Sequence, residues 1–382
     1  MTFAGFFNER AAYAKINLTL NVIKKRPDGY HELETVMQAV SLCDDVSVRV
    51  APRVSVERCP PFTKIAVSYE TDDEYIKTQF IPTDRRNTAY LAAEAFFDYQ
   101  KPRVNERAIG AAYRGAGRVI YFVDIHIKKR IPAAAGLAGG SADAAAVLLA
   151  LNDAANGIGG EEQLGYTATN GESITVCADS LHGIRTLTED EMLAAALRVG
   201  ADVPFCLLYG TEAISAPVVR ALPAVRAMPA EITGAQLASP MARVAFAAGI
   251  GEKLRALPAP PQKNALVLAN PRMTLSTAQV FSDYIIPEPG VIENLSNLTR
   301  AMIKSHDGEW GLCFNALESA AALKCPGINR LKTELTEAGA SCAAMSGSGP
   351  TVFGLFRDSD KAARAADTVR AGGAWAVCCE FV

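Results

Sequence analysis

The sequence predicts an α+β protein of two domains, and three observations lead to this prediction. A length of 382 residues is more than one hydrophobic core usually organises. Helical and strand-like patterns alternate on both sides of a Pro-rich segment at residues 256–261, which has the composition of a linker. Hydrophobic residues make up 49% and charged residues 21% of the chain, as in globular proteins. We therefore expect domains over residues 1–258 and 264–382.

The elements of the first predicted domain follow from hydrophobic periodicity. Ile16, Leu18 and Leu20 alternate with polar residues, which is the period of a half-buried strand. The same pattern predicts strands at residues 46–50 and 119–127, and a turn over residues 26–29. Helices are predicted over residues 87–99, 142–151 and 189–199, the last ending at Gly200.

The second predicted domain repeats this mixture of elements. Strands are expected at residues 265–269, 351–356 and 374–382, and helices at 276–284, 327–338 and 361–370. Two parts of the first domain resist such assignment. Residues 51–80 are interrupted by prolines, and residues 153–180 are polar enough for a surface insertion.

Charge and cysteine content exclude several classes of protein. With 38 basic and 41 acidic residues the net charge is -3, so we expect no nucleic-acid partner. Two basic runs, at residues 24–26 and 128–130, are interpreted as solvated turns or strand ends. Nine scattered cysteines without a Cys-x-x-Cys pair predict reduced thiols and no metal site. Neither a signal peptide nor a membrane span is indicated, so we expect a cytoplasmic protein without a membrane partner.

A glycine-rich loop between a predicted strand and a predicted helix is the strongest candidate for a functional site. Unpaired N–H groups at a helix start attract anions, and glycine lets the backbone approach a phosphate closely. A triphosphate is the expected ligand, with the Ser141 hydroxyl on a phosphate oxygen or Mg²⁺. The alternative is a tight turn without a ligand; neither the Walker A nor the dinucleotide-binding pattern is present. The loop residues are Pro132, Ala133, Ala134, Ala135, Gly136, Leu137, Ala138, Gly139, Gly140, Ser141 and Ala142.

This loop resembles the second motif of the GHMP kinases, the family of galactokinase, homoserine kinase and mevalonate kinase. Residues 14–18 resemble the first motif of that family, and residues 343–351, Ala-Ala-Met-Ser-Gly-Ser-Gly-Pro-Thr, resemble the third. The resemblance implies a two-domain GHMP kinase fold. Its N-terminal domain would be ribosomal S5 domain 2-like and its C-terminal domain ferredoxin-like.

Three further matches, at residues 14–17, 26–31 and 200–205, resemble one branch of the family. Its members use ATP and Mg²⁺ to phosphorylate the 2-hydroxyl of a diphosphocytidyl methylerythritol in isoprenoid precursor synthesis. The resemblance implies a small-molecule substrate and a monomer or homodimer. The implied site residues are the catalytic Lys15 and Asp202, Asn17 at the substrate, Tyr30, His31 and Phe281 at the cytosine ring, and Asn87 at the adenine.

The sequence also departs from the family pattern. Ala133, Ala134, Ala135 and Ala138 replace glycines that many relatives have, and Ala142 replaces a second serine. The lost hydroxyl leaves open how the loop would contact magnesium, and no protein ligand is assigned to the metal. Segments 153–190 and 214–243 look longer than the family core requires, and residues 51–80 match it poorly.

Other interpretations of these residues remain open. Taken alone, Asp202 fits a turn and Lys15 an exposed strand position. A homoserine or mevalonate kinase of the same family is one alternative, against which the Tyr30–His31 pair speaks. A nucleotide-binding scaffold without activity is another, because the implied N-terminal fold also occurs in RNA-associated proteins. Lys15, Asp202 and the acidic net charge favour an enzyme.

Overall fold

The computed structural model describes most of the chain. The described residues are 5–55, 62–100, 118–157, 160–162, 166–167, 173–174, 184–209, 211–213, 243–258, 265–304 and 312–382. Half of the segment 153–190 and nearly all of the segment 214–243 lie outside this part, and so does the end of the expected linker. In the described part, no helix is long and apolar enough to cross a bilayer.

Fifteen strands and nine α-helices make up the described residues. The strands are β1 (Gly5–Lys25), β2 (His31–Ser55), β3 (Thr63–Glu70), β4 (Arg118–Lys128), β5 (Gly160–Glu162), β6 (Tyr166–Thr167), β7 (Ser173–Ile174), β8 (Thr211–Ala213), β9 (Val244–Gly249), β10 (Lys253–Ala256), β11 (Ala265–Asn270), β12 (Phe314–Asn315), β13 (Cys342–Met345), β14 (Val352–Phe356) and β15 (Trp375–Glu380). The helices are α1 (Thr88–Asp98), α2 (Gly139–Ala155), α3 (Glu189–Val199), α4 (Val203–Tyr209), α5 (Thr277–Asp283), α6 (Pro289–Lys304), α7 (Glu318–Lys324), α8 (Gly327–Glu337) and α9 (Ser359–Ala371).

A nine-stranded sheet organises the chain up to residue 256 and also includes the short strand β12. Its main path runs β10–β9–β2–β1–β12, while β4 joins β2, β3 joins β4, and the short β5 and β8 join β1. The strands β1 and β2 form a long antiparallel hairpin, closed by a turn in which Gly29 has φ +88°. Register shifts interrupt this hairpin between Tyr13 and Lys15, between Asn17 and Thr19 and between Val22 and Lys24. The first two of these irregularities flank the first motif.

Helix α2 forms the centre of the first hydrophobic core. Nearly all of its residues from Ala142 to Leu151 are buried, and it contacts β1, β2, α1 and α4. Small alanines let it approach these neighbours closely, while Val147 and Leu148 fill the space between helix and sheet. Because the helix is fixed on all sides, its first turn has a well-defined position in the fold.

A second, four-stranded antiparallel sheet organises the C-terminal part, in the order β13–β14–β11–β15. One face packs against α8 and α9. The other presents Leu266, Leu268 and Phe353 to Ile16 and Leu18 of β1. The two sheets with their helices agree with the predicted α+β class. The domain limits remain predictions, because residues 259–264 are not described and β12 pairs with β1 of the first sheet.

The predicted elements recur with small shifts of their ends. The long predicted helices correspond to α1, α2, α3, α8 and α9, while β1 and β2 extend well beyond their predicted cores. Three helices were not predicted: α4 directly after Asp202, the amphipathic α6 and the short α7. Within the unassigned residues 51–80 the structure describes β3 and a single 3₁₀ turn over Thr78–Phe80.

Two predictions about individual side chains are wrong. The cysteines were expected to be reduced, but Cys313 and Cys342 form a disulfide, because the chain brings their Cα atoms to 6.1 Å. The basic run 128–130 was expected to be solvated, but Lys129 is only 3% exposed. Burial of its charge is possible because two carboxylates, Asp44 and Asp143, receive its ammonium group.

Candidate active site

The phosphate loop connects β4 to α2 and has an unusual backbone. Three of its residues have positive φ angles: Ala134 at 50°, Gly136 at 79° and Ala138 at 57°. Ala138 precedes the first turn of α2 and has no side-chain acceptor to cap it. The first N–H groups of α2 therefore have no capping side chain, which suits an anion. Alanine accepts this left-handed conformation at a cost of about 1–2 kcal/mol per residue.

The first and third motifs hold this loop in place. The Lys15 backbone N–H donates to the Leu137 carbonyl at 3.1 Å. From the other side, the Ser346 hydroxyl donates to the Gly136 carbonyl at 2.9 Å. A Cβ on Gly136 would lie 2.2 Å from the Ser346 carbonyl oxygen, so the two backbones meet where only glycine fits. The structure thus brings the three predicted motifs together.

Two residues that the sequence analysis missed hold the turn of the third motif. Asn315 donates from Nδ2 to the carbonyls of Met345 (2.8 Å) and Gly347 (2.7 Å). The Glu318 carboxylate accepts from the Met345 N–H at 3.0 Å. The sequence gives only a weak indication of this role, since all it shows is two polar residues separated by Ala316 and Leu317. Their role depends on contacts with residues about thirty positions later.

The predicted catalytic pair is assembled from two distant parts of the chain. Lys15 projects from β1 beside the register shift, and Asp202 lies in the turn between α3 and α4. Lys15 Nζ lies 3.3 Å from Asp202 Oδ2. Lys15 is 3% exposed, whereas the Asp202 side chain is 34% exposed. A buried ammonium beside an accessible carboxylate suits a reaction in which the carboxylate receives a proton.

Asn17 orients Lys15. Its Oδ1 accepts from Lys15 Nζ at 2.7 Å, and its Nδ2 donates to the Thr35 hydroxyl at 2.8 Å. The side chain is fully engaged and only 1% exposed. The predicted contact of Asn17 with the substrate stays a prediction, while its contact with Lys15 is a second function of the same amide.

The residues predicted to bind cytosine gather at the end of the β1–β2 hairpin. The rings of His31 and Phe281 stack with centroids 5.1 Å apart. Tyr30 follows the Asp28–Gly29 turn and is 59% exposed. Burial and the positive charge of Lys25 lower the pKa of His31, which favours a neutral imidazole with one donor and one acceptor. Such an edge is suited to hydrogen bonding with a base.

Asn87, predicted to contact adenine, caps helix α1. Its Oδ1 accepts from the N–H groups of Ala89 and Tyr90, and its Nδ2 donates to the Pro82 carbonyl at 2.6 Å and to Tyr69. This cap accounts for its burial, and the adenine contact stays a prediction. The next residue, Thr88, donates to the Gly140 carbonyl at 2.6 Å. The start of α1 therefore rests against the start of α2.

Comparison with known proteins agrees with this assembly. Residues 106–178 match the GHMP kinases N terminal domain, and residues 292–374 match the GHMP kinases C terminal family. The chain is 34% identical over 358 residues to the 4-diphosphocytidyl-2-C-methyl-D-erythritol kinase of Enterococcus faecalis, covering 93% of this chain and 92% of the relative. The chain belongs to the 4-diphosphocytidyl-2-C-methyl-D-erythritol kinase family. The predicted family resemblance is thereby confirmed.

Further comparisons support the same family and fold. The enzyme of Caldicellulosiruptor saccharolyticus is 32% identical over 361 residues, covering 94% of this chain and 91% of the relative. A crystal structure of 4-(cytidine 5'-diphospho)-2C-methyl-D-erythritol kinase has a TM-score of 0.56 at 27% identity, covering 98% of both chains. Homoserine kinase from Cytophaga hutchinsonii shares the fold at a TM-score of 0.59 and 15% identity, covering 98% of this chain and 94% of that one. The predicted GHMP fold is confirmed.

Proposed function

We propose that this protein transfers the γ-phosphoryl group of ATP to the 2-hydroxyl of 4-diphosphocytidyl-2-C-methyl-D-erythritol, a step in isoprenoid precursor synthesis. The observation that carries the proposal is the Lys15–Asp202 pair at 3.3 Å, in which Lys15 lies on a strand joined to the phosphate loop by its own backbone hydrogen bond. Phosphoryl transfer depends mainly on positioning and on charge stabilisation, and this arrangement supports both.

In the proposed reaction Asp202 accepts the proton of the substrate hydroxyl. Its partial exposure leaves room for the acceptor, and a hydrogen bond to Asn17 fixes the position of the Lys15 ammonium group. The Lys15 ammonium then lies beside the oxygen that gains negative charge as the proton leaves. The N–H groups at the start of α2 bind the phosphates, and the positive end of the helix favours their charge.

A divalent cation would be held at the loop by the Ser141 hydroxyl, in the first turn of α2, together with phosphate oxygens and water. When bound, the ion would neutralise charge on the β- and γ-phosphates. Ala142 offers no oxygen, so this chain would hold the ion with one hydroxyl fewer than relatives that have a second serine at this position.

Recognition of the cytidine portion rests on the aromatic group beside the hairpin turn. Tyr30 offers an exposed ring face, Phe281 a second face and His31 a hydrogen-bonding edge. A base between such rings gains stacking energy of about 1–3 kcal/mol per contact. Homoserine and mevalonate have no base, so this group favours the cytidine-bearing substrate over those acceptors.

A direct assay tests the proposal. Phosphate transfer from ATP would be measured with 4-diphosphocytidyl-2-C-methyl-D-erythritol, and with free methylerythritol, homoserine and mevalonate as comparison acceptors. We expect turnover to depend on Mg²⁺ and to favour the cytidine-bearing acceptor. Equal turnover of free methylerythritol would contradict the recognition of the base. If the wild-type protein transferred no phosphate to any of these acceptors, the kinase assignment itself would be contradicted.

A further inference from the structure

The basic run at residues 128–130 has three different environments. Lys128 pairs with Asp72 at the surface, and Arg130 pairs with Asp45 at a partly exposed position. Lys129 between them points into the protein, where its side chain is almost wholly buried. Its ammonium group lies against the first residue of α2, and the proposed reaction does not use it.

Two carboxylates from opposite sides meet the Lys129 ammonium group. Lys129 Nζ donates to Asp44 Oδ2 at 2.5 Å and to Asp143 Oδ2 at 2.8 Å. Asp44 is 0% exposed and Asp143 is 3% exposed, so all three ionisable side chains are shielded from water. We call these three residues the buried triad. Oδ1 of Asp143 has no hydrogen-bond partner in the described part of the chain.

The buried triad connects the three elements that meet at the loop. Asp44 belongs to β2, Lys129 follows the end of β4, and Asp143 lies in the second turn of α2. Asp44 Oδ1 also accepts from the backbone N–H groups of Arg130 (2.6 Å) and Ile131 (2.9 Å), which begin the loop. One group of charges therefore fixes both ends of the phosphate loop, where it leaves β4 and where α2 begins.

The ammonium group lies directly against the start of α2. A Cβ on Gly139, the first residue of the helix, would lie 3.5 Å from Lys129 Nζ and 2.9 Å from Ile131 Cγ2. The helix start thus packs against the buried triad. Buried ion pairs add little net stability compared with packed apolar residues, so stability alone is a weak reason for this arrangement.

We propose that Asp44, Lys129 and Asp143 are positioning residues that hold the start of α2 in the geometry that binds the phosphates of ATP. They act through the loop, since their burial keeps them from touching the nucleotide. The inference rests on the proposed function for the identity of the ligand. It predicts that the affinity for ATP depends on the buried triad, while recognition of the cytidine portion does not.

The experiment compares Asp143→Ala and Asp143→Asn with Lys128→Met as the surface control. Hydrogen bonds to charged groups contribute about 1.5–3 kcal/mol, so we expect Asp143→Ala to raise the Kd for ATP by about 10- to 100-fold. Asparagine can still accept from Lys129, and it should restore the Kd to within roughly 5-fold of the wild type. Lys128→Met should leave the Kd unchanged. The KM for the cytidine substrate should change little in any variant.

Calorimetric titration of ATP into each folded protein gives the decisive readout. It needs no acceptor, so an error in the proposed acceptor would not affect it. A folded Asp143→Ala protein that binds ATP as the wild type does would overturn the inference. Equal weakening of ATP and cytidine-substrate binding would overturn it too, because it would indicate general loosening. Should Asp143→Ala fail to fold, Asp44→Asn replaces it, because both Asp44 oxygens accept hydrogen bonds and an amide keeps only one acceptor oxygen. Unchanged ATP affinity then refutes the inference, and selective weakening supports it.

Discussion

Replacement of Gly136 by alanine adds a single methyl group, but we expect it to displace the phosphate loop. Gly136 has φ +79°, and an added Cβ would lie 2.2 Å from the Ser346 carbonyl oxygen and 2.9 Å from the Gly349 nitrogen. Both neighbours are backbone atoms, so neither can turn away as a side chain would. Ordinary contact begins at 3.4 Å, which means that the loop and the third-motif turn must separate.

The size of the effect follows from three contributions. The left-handed conformation costs alanine about 1–2 kcal/mol. A separation of the backbones would break the hydrogen bond from Ser346 to the Gly136 carbonyl, a net loss of about 0.5–1.5 kcal/mol. Displacement of the loop by about 1 Å can slow a reaction roughly 100-fold. We expect the free energy of unfolding to fall by about 2–3 kcal/mol, and kcat/KM for ATP to fall by one to two orders of magnitude.

Gly157→Ala is the matched control for this prediction. Gly157 has φ +72°, and no other atom lies within 4 Å of an added Cβ. The control variant therefore has the backbone strain of an alanine at positive φ but no steric clash. Denaturant unfolding and steady-state kinetics at varied ATP would be measured for both variants. Similar kinetics for the two proteins would refute the conclusion that close contact between Gly136 and the third-motif turn shapes the loop.

Four other substitutions test separate parts of the site. Asp202→Asn should lower kcat by about 100-fold or more with little change in ATP affinity, as expected for a general base; near-normal kcat in steady-state assays would contradict that role. Tyr30→Ala should raise the KM for the cytidine substrate by roughly one to two orders of magnitude and leave the KM for ATP unchanged, which substrate-dependence curves would show. Ala138→Gly should stabilise the protein by about 0.5–1 kcal/mol in denaturant unfolding, because it relieves a residue at φ 57°; a loss of stability would argue against that strain. Asp143→Asn tests a titration: burial raises the pKa of Asp143 from 3.8 to about 8, so the native state holds a proton that the unfolded state releases. Protonated Asp143 contributes fully to stability below about pH 4, and this contribution is lost as the pH rises through about 8. The free energy of unfolding of the wild type, relative to that of Asp143→Asn, should therefore decline over that range; a rise would contradict the shift of the pKa.

Local patterns in the sequence were sufficient to predict much of the fold. Alternating residues such as Ile16 and Leu18 mark strands, because one side chain in two faces the core. The apolar run at residues 142–151 marks a buried helix for a similar reason. Residues 14–18, 132–142 and 343–351 could be associated through the family resemblance, and the structure brings them together.

The rest depends on contacts between distant residues. The sequence alone gives no reason to bury Lys129, since its partner Asp44 lies 85 residues away. The constraint on Gly139 also comes from a distant contact. The residue lies in the first turn of a helix, and an added Cβ would lie 2.9 Å from Ile131 Cγ2. The positive φ angles fall instead on Gly136 and on two alanines, where local propensity is overruled by the surrounding fold.

The hydrogen bond between Ser346 and Gly136 joins residues 210 positions apart in the chain. During synthesis on a ribosome, the loop therefore emerges long before the turn that braces it. We expect a nascent chain to lack tight ATP binding until its last strands have formed. Tight ATP binding would then appear only late in synthesis, so that incomplete chains would not bind cellular ATP.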